Sequence, residues 1–179
     1  AQRAAIEFLL EQVSDWDEIH WGGIDADDGL SQILDDSPLN IRRQVIKECA
    51  CATVNLAALR ETNTEYFAKL SSNTRQQVRR SMRLYDAEGK LELDSADSPD
   101  DAVLFYDEMK RLHQAYWEAK GKRGAFGTEF CDRFHRNLIA DRLPHGEIQL
   151  LRVRSGTSVL GYLYNFVYQG RVYCYQSGF

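Results

Sequence analysis

The feature that most restricts the fold of this chain is the stretch VLGYLYNFVYQGRVYCYQSGF at residues 159–179. Gln169-Gly170 is a two-residue sequence that suits a tight hairpin turn, and apolar or aromatic side chains alternate on both sides of it. A hairpin with this turn has a defined register, with an aromatic ladder on one face and smaller side chains on the other. The predicted pairs are Tyr168 with Arg171, Phe166 with Tyr173 and Tyr164 with Tyr175 on one face, and Val167 with Val172 and Asn165 with Cys174 on the other.

Other strands and helices are expected before this hairpin. Residues 147–153 form a strand that a turn at Ser155-Gly156 joins to it, so three consecutive antiparallel strands are predicted. The spacing of apolar side chains, together with capping residues, predicts helices, and their alternation with strands is typical of an α/β fold. The predicted helices are 3–14, 29–34 (capped by Asp27 or Asp28), 64–70, 71–89, 100–119 and 129–142; short strands are predicted at 18–24 and 91–93, and residues 41–56 are mostly β-compatible. The inner stripe of the helix at 100–119 is expected to contain Val103, Leu104, Tyr106, Leu112, Tyr116 and Trp117.

Charge is distributed unevenly along the 179 residues, whose net charge is −5. Residues 1–65 contain 13 acidic and 5 basic side chains, whereas residues 66–179 contain 14 acidic and 17 basic ones. This change indicates two units and places an anionic ligand on the second. No segment resembles a membrane span or a signal peptide, so we expect a cytoplasmic protein.

Neither a disulfide framework nor a metal site is expected. The chain has four cysteines, and strand alternation would place Cys49 and Cys51 on one face as small core residues. The four histidines are scattered along the chain, which leaves zinc without a ligand set. The aspartates between Asp25 and Asp36 lack the spacing of a calcium loop, and helix capping on a solvated acidic face explains them.

Two basic segments are candidates for ligand contact. Arg75, Arg79 and Arg83 are four residues apart on the helix at 71–89, and a stripe of guanidinium groups suits a phosphate or carboxylate. The same stripe is also typical of a solvated face, and nucleic acid is disfavoured by the isoelectric point of 5.4. The second segment is GKRGAFG at residues 121–127, which lacks the spacing of a dinucleotide or P-loop motif and also suits a plain connector.

Three blocks resemble the CelD-like GNAT acetyltransferases, bacterial proteins often linked with cellulose or exopolysaccharide synthesis. These blocks are LSSNTRQQVRRSMRLYDAEGKLEL, LHQAYWEAKGKRGAF and IQLLRVRSGTSVLGYLYNFVYQGRVYCYQSGF. CelD-like proteins are similar to the FemAB-type peptidyltransferases in having two GNAT-like halves. The resemblance therefore implies that residues 1–65 are the C-terminal part of a first half and residues 66–179 the N-terminal part of a second.

The resemblance also implies roles for individual residues. Acetyl-CoA or another acyl-CoA is the expected cofactor of the complete protein. Its pyrophosphate loop is expected just after YQSGF, so that the chain would be a piece of a longer protein and inactive by itself. In GNAT chemistry the strand before that loop stabilises the oxyanion through a backbone N–H, and a Tyr or Cys often protonates the departing thiolate. Tyr173, Tyr175 and Ser177 share a face of this predicted strand, where cross-strand packing is the alternative role. The implied catalytic residues are Tyr175 and Ser177, the cofactor contacts Gln176, Gly178 and Phe179, and the acceptor contacts Arg75, Arg79, Lys122, Arg123 and Phe126.

The function implied is transfer of an acyl group, most simply acetyl, to an amine or hydroxyl of a sugar or envelope precursor. Two alternatives stay open at this point: FemAB-like transfer of an aminoacyl group from charged tRNA, and a silent GNAT-like module in a polysaccharide-synthesis complex. The expected partner is a small-molecule or saccharide acceptor, with no DNA and no membrane span. The last strand is expected to have an exposed edge, which favours self-association.

Overall fold

A computed structural model describes residues 2–12, 17–22, 29–36, 42 and 44–179. The chain divides into two compact units, Ala1–Val54 and Asn55–Phe179. No helix among these described residues has the length and apolar character needed to cross a membrane.

The first unit contains two helices, α1 (Gln2–Gln12) and α2 (Leu30–Asp35). These confirm the predicted helices within the described residues. The predicted strand at 18–24 is wrong for residues 18–22, which have no regular structure. Residues 23–24 and the capping residues Asp27 and Asp28 lie outside the described part. The small apolar cluster of this unit contains Ile6, Leu10, Ile19, Ile33 and Leu34.

Residues 44–55 form neither strand nor helix and are exposed. The strand that their β-compatible pattern indicated is therefore wrong. Cys49 and Cys51 are exposed as well, and are not the core residues that alternation predicted. A strand needs a partner for its backbone groups, and no strand among the described residues pairs with this segment. Leu56 is already helical, because the Asn55 side chain accepts a hydrogen bond from the Ala58 N–H at 2.9 Å and caps the next helix.

Three of the five helices of the second unit begin at predicted caps, whereas the helix at Leu56–Glu61 was not predicted. In these three a Ser or Thr hydroxyl accepts a hydrogen bond from a backbone N–H of the first turn, at 3.1 Å in each case. The capping residues are Ser71, Ser98 and Thr128. The helices are α3 (Leu56–Glu61), α4 (Tyr66–Lys69), α5 (Ser72–Asp86), α6 (Pro99–Glu118) and α7 (Glu129–Arg142), followed by a short 3-10 turn at Leu143–His145.

A four-stranded antiparallel sheet follows the order β1-β2-β3-β4. Its strands are β1 (Leu91–Ser95), β2 (Ile148–Ser155), β3 (Ser158–Tyr168) and β4 (Arg171–Gly178). Side chains of α6 and α7 pack with one face of this sheet and form the core. This mixed α/β architecture confirms the predicted fold class. The buried core residues are Ala96, Ala102, Phe105, Tyr106, Met109, Phe126, Ile139, Ile148, Leu150, Tyr162 and Tyr164.

The buried stripe of α6 differs from the predicted one. Tyr106 is buried as expected, but Val103, Leu104 and Tyr116 are 44–51% exposed. The apolar positions alone did not identify the inner face, because this helix has large apolar side chains on both of its faces. The residues that face the core are Ala102, Phe105, Tyr106, Met109 and His113.

The hairpin of β3 and β4 has the predicted register at its tip but not at its base. Asn165 pairs with Cys174, and the next pair joins Tyr164 with Gln176, because a bulge interrupts the ladder there. Tyr175 is the extra residue of the bulge. The predicted pairing of Tyr164 with Tyr175 is therefore wrong as a backbone register, although the two rings still meet edge to face with centroids 5.5 Å apart.

Candidate functional site

A buried histidine connects two tyrosines where α7 meets the sheet. His135 is 5% exposed, and its Nδ1 lies 3.3 Å from the hydroxyl of Tyr164, which is fully buried. On the other side of the ring, Nε2 lies 3.1 Å from the hydroxyl of Tyr175. Tyr175 is 39% exposed, so this three-residue chain begins in the core and ends at the surface.

The burial of Tyr164 determines the direction of these hydrogen bonds. Its hydroxyl has no other partner among the described residues, and a buried O–H without an acceptor is costly. Tyr164 must therefore donate to Nδ1 of His135, which leaves the imidazole proton on Nε2. Nε2–H then donates to the oxygen of Tyr175. The proton of the Tyr175 hydroxyl is free to point to another molecule.

The electrostatics keep all three groups neutral near pH 7. Burial lowers the pKa of His135 from its ordinary value, and the nearby carboxylate of Asp132 opposes this only in part. Burial also raises the pKa of Tyr164, and burial together with nearby Cys131 raises the pKa of Tyr175. The arrangement therefore presents a neutral phenol as a hydrogen donor at the surface.

A second buried histidine attaches β4 to α6. The backbone N–H of Ala125 donates to Nε2 of His113 at 3.2 Å, so Nδ1 has the proton and donates to the carbonyl oxygen of Ser177 at 3.0 Å. The bulge at Tyr175 also affects the side chain of Ser177, which lies in the ladder opposite Leu163. Leu163 and Tyr164 point to opposite faces of β3. Ser177 therefore does not share the face of Tyr175, contrary to the prediction.

The three predicted cofactor contacts follow the bulge. Gln176 is half-buried, Gly178 is buried and Phe179 is 65% exposed. A Cβ on Gly178 would collide with the carbonyl oxygen of Met109, so this backbone approaches α6 too closely for any other residue. The close approach holds the end of β4 against α6. The cofactor role of these three residues stays a prediction.

The predicted acceptor contacts lie in two separate places. Arg75 and Arg79 line a groove between α4 and α5, and no residue of the loop at 121–127 is among those that line it. In that loop, Lys122 is exposed and its Nζ lies 5.4 Å from the centroid of the Trp117 ring.

The other two loop contacts have structural partners. The guanidinium of Arg123 donates twice to the carbonyl oxygen of Gly127, at 3.0 and 3.2 Å. Phe126 is 5% exposed and packs edge to face against both His113 and His135, with centroids 5.2 and 5.3 Å apart. The Phe126 ring thus supports the two buried histidines from the core, and its predicted contact with an acceptor stays a prediction.

Residues 72–179 match the family described as Acetyltransferase (GNAT) domain. The chain belongs to this family. The match covers more than half of the chain, begins in the first turn of α5 and includes the whole sheet. GNAT domains are acyltransferases and typically use an acyl-CoA. No curated protein matches the chain. The narrower resemblance to CelD-like or FemAB proteins stays a prediction.

Tyr175 at the bulge suits one step of transfer from an acyl-CoA, the protonation of the leaving thiolate. Transfer from an acyl-CoA releases a thiolate that needs a proton, and Tyr175 is a half-exposed phenol whose proton no group of the described protein takes. No cluster of three or more metal-binding side chains was found among the described residues.

The sequence analysis predicted Tyr175 as a site residue but did not include His135, Tyr164 or His113, which the structure brings together with it or with β4. One signal was present: His135 and Ile139 are four residues apart on α7 and are both buried. A histidine at helical spacing with an apolar core residue indicates a buried polar group that needs partners. Those partners come from β3 and β4, and a local pattern cannot show them.

Proposed function

We propose that this protein transfers an acyl group, most simply acetyl from acetyl-CoA, to an amine or hydroxyl of a sugar or envelope precursor such as one used in exopolysaccharide synthesis. The observation that supports this best is the hydrogen-bond chain from Tyr164 through His135 to Tyr175, which leaves the Tyr175 proton available at the surface. The acyl-CoA would supply the acyl group as an activated thioester.

In this proposal Tyr175 is the general acid. Its hydroxyl gives a proton to the departing sulfur as the acceptor forms its new bond to the acyl carbon. The Nε2–H of His135 then donates a hydrogen bond to the phenolate of Tyr175 and stabilises it. The acceptor nitrogen or oxygen loses a proton to solvent, and solvent returns a proton to Tyr175. Arg75 and Arg79 are the proposed contacts for an anionic part of the acceptor.

The test compares acetyl transfer by the full natural protein in three forms: the wild type, Tyr175→Phe and Tyr173→Phe. Loss of the acid should lower kcat by about 10- to 1,000-fold with a small change in KM. Tyr173→Phe is the matched control, because Tyr173 is on the same strand and is 47% exposed. Wild-type turnover in Tyr175→Phe would remove the acid role from this residue, and no transfer by any form would support the silent module instead.

Tyr164→Phe tests the direction of the hydrogen bonds. Without the Tyr164 hydroxyl, His135 can place its proton on Nδ1, and Tyr175 can then donate its own proton to Nε2. We expect a lower kcat with an unchanged KM, although Tyr164 is fully buried and cannot contact substrate. An unchanged kcat would contradict the proposed chain.

A further inference from the structure

An arginine-lined groove lies between α4 and α5, with a volume of about 610 Å³. Arg75, Arg79 and Arg83 contribute its basic side, and Phe67 and Met82 contribute apolar surface. No acidic residue is among the described residues that line it. A ligand that fits the groove must therefore combine negative charge with an apolar part.

The three arginine side chains differ in whether they hydrogen-bond to other residues of the protein. Arg75 donates from Nη1 to the carbonyl oxygen of Phe67 at 3.2 Å, which fixes its guanidinium against α4. The side chains of Arg79 and Arg83 have no ion pair or hydrogen bond with any residue that the structure describes. Two guanidinium groups thus face the groove with all their donors available.

The spacing of these arginines suits an extended anion. Residues four apart on a helix lie on one face and rise by about 6 Å, so the stripe extends about 12 Å along α5. A guanidinium group binds phosphate oxygens through two parallel hydrogen bonds, and one phosphate cannot occupy the donors of all three arginines. Two linked phosphates match adjacent arginines better. A single stripe on a chain of net charge −5 does not suit the continuous backbone of a nucleic acid.

We propose that this groove binds a diphosphate that is linked to an apolar group, with the diphosphate on Arg79 and Arg83 and the apolar group against Phe67 and Met82. A prenyl diphosphate and a nucleoside diphosphate are the two candidates, because the prenyl chain of the first and the flat face of the base in the second can both pack against Phe67 and Met82. The idea that this diphosphate is part of the acyl acceptor rests on the proposed function. Binding of the diphosphate to the groove does not require acyl transfer. The two proposals can therefore fail separately.

The experiment measures binding to the 179-residue chain by calorimetry with three probes: geranyl diphosphate, uridine diphosphate and inorganic pyrophosphate. At least one of the two linked diphosphates should bind saturably with a Kd below about 100 μM, and at least about tenfold more tightly than pyrophosphate. The tighter of the two identifies the source of the apolar group. Absence of saturable binding by both linked diphosphates would overturn the proposal, as would equal affinity for pyrophosphate.

Variants locate the binding on the groove. Arg79→Gln and Arg83→Gln should each weaken binding about tenfold or more, because each removes charge-assisted hydrogen bonds to phosphate. Arg80→Gln is the matched control, since it makes the same charge change on the same helix but does not line the groove. If Arg80→Gln weakened binding equally, the effect would come from the overall charge of the helix, and the groove would not be the binding site.

Further substitutions separate the apolar part of the site from the basic part. Met82→Ala should weaken binding of the linked diphosphate and leave the affinity for pyrophosphate unchanged, because only the linked diphosphate has a group that contacts Met82. All these side chains are exposed or lie at the groove surface, so the melting temperature should stay at the wild-type value in each variant. Wild-type affinity for the linked diphosphate in Arg79→Gln, Arg83→Gln and Met82→Ala, with the melting temperature unchanged, would place the ligand elsewhere and contradict the proposal.

Discussion

His135 is buried in a neutral form, and its neighbours explain why. Phe126 and Phe134 pack edge to face against its ring, and Tyr164 and Tyr175 occupy its two nitrogens. A proton added to Nδ1 would face the hydroxyl proton of Tyr164, and the charge would lie in an apolar surrounding. The carboxylate of Asp132 nearby favours that charge, but burial has the larger effect on the pKa of His135.

The lowered pKa of His135 predicts that the protein loses stability in mild acid. The pKa of His135 is lower in the folded protein than in the unfolded chain, so the unfolded chain binds more protons below about pH 6.5. Its contribution to the free energy of unfolding is complete above that pH and decreases as the pH falls toward the folded pKa. The melting temperature should therefore decrease between pH 7.5 and pH 5.

His135→Gln provides the comparison for this prediction. The variant lacks the titrating group, so its melting temperature should depend less on pH in the same range, even if it is lower at pH 7.5. All other titrating groups are shared by both proteins and cancel in the difference. Parallel pH profiles for the two proteins would show that His135 is not buried in its neutral form.

At the scale of elements, one hydroxyl attaches α5 to the sheet. Ser155 is 1% exposed at the end of β2, and its Oγ lies 2.6 Å from the carbonyl oxygen of Tyr85 and 3.0 Å from that of Gly89. Gly89 and Gly156 also approach so closely that a Cβ on Gly89 would collide with the Gly156 backbone. The C-terminal end of the helix that lines the arginine groove is thus fixed to the sheet by short-range contacts.

Ser155→Ala should reduce the free energy of unfolding by about 0.5–1.5 kcal/mol, because it removes the hydrogen bond that the buried Ser155 hydroxyl donates to a backbone carbonyl oxygen. Urea denaturation measures this change. Ser158→Ala is the control, because Ser158 begins β3 at an exposed position, and its effect should stay within about 0.5 kcal/mol. Equal effects of the two substitutions would contradict an attachment through the Ser155 hydroxyl.

Three helices of the second unit could be predicted together with their caps, because the signals for them are local. Ser71, Ser98 and Thr128 each bond an N–H within their own helix, so a short stretch of sequence contains the whole interaction. The strand predicted within 41–56 failed for the opposite reason, since strand formation requires a partner that composition does not reveal.

The candidate site was only partly predictable for the same physical reason. The turn at Gln169-Gly170 defined the register up to Asn165 and Cys174. The bulge beyond them places the Tyr175 ring against both Phe166 and His135, with centroids 4.8 and 5.2 Å apart. His135 is 40 residues away from Tyr175 in the sequence. A contact at that separation belongs to the packed molecule and not to the strand.

For the whole molecule, the two compact units have separate apolar clusters, and the family match lies entirely within the second. The prediction that residues 1–65 and 66–179 belong to two GNAT-like halves stays a prediction. In the second unit, β1 and β4 are the outer strands of the sheet among the described residues. An outer strand has backbone N–H and C=O groups that can pair with another chain.

We therefore predict that the 179-residue chain self-associates through β4. This strand has eight residues, and Val172 and Tyr173 on it are 51% and 47% exposed, so its free edge is both long and partly apolar. Sedimentation velocity at increasing protein concentration should show a reversible shift to dimers or larger species. Val172→Lys should weaken this association, because a lysine on an outer strand disfavours pairing with a second strand. Val103→Lys makes the same charge change at a 44% exposed position of α6 and should leave the association unchanged. A wild-type chain that stays monomeric at about 100 μM, or equal weakening by both lysines, would show that β4 does not pair between copies of this chain.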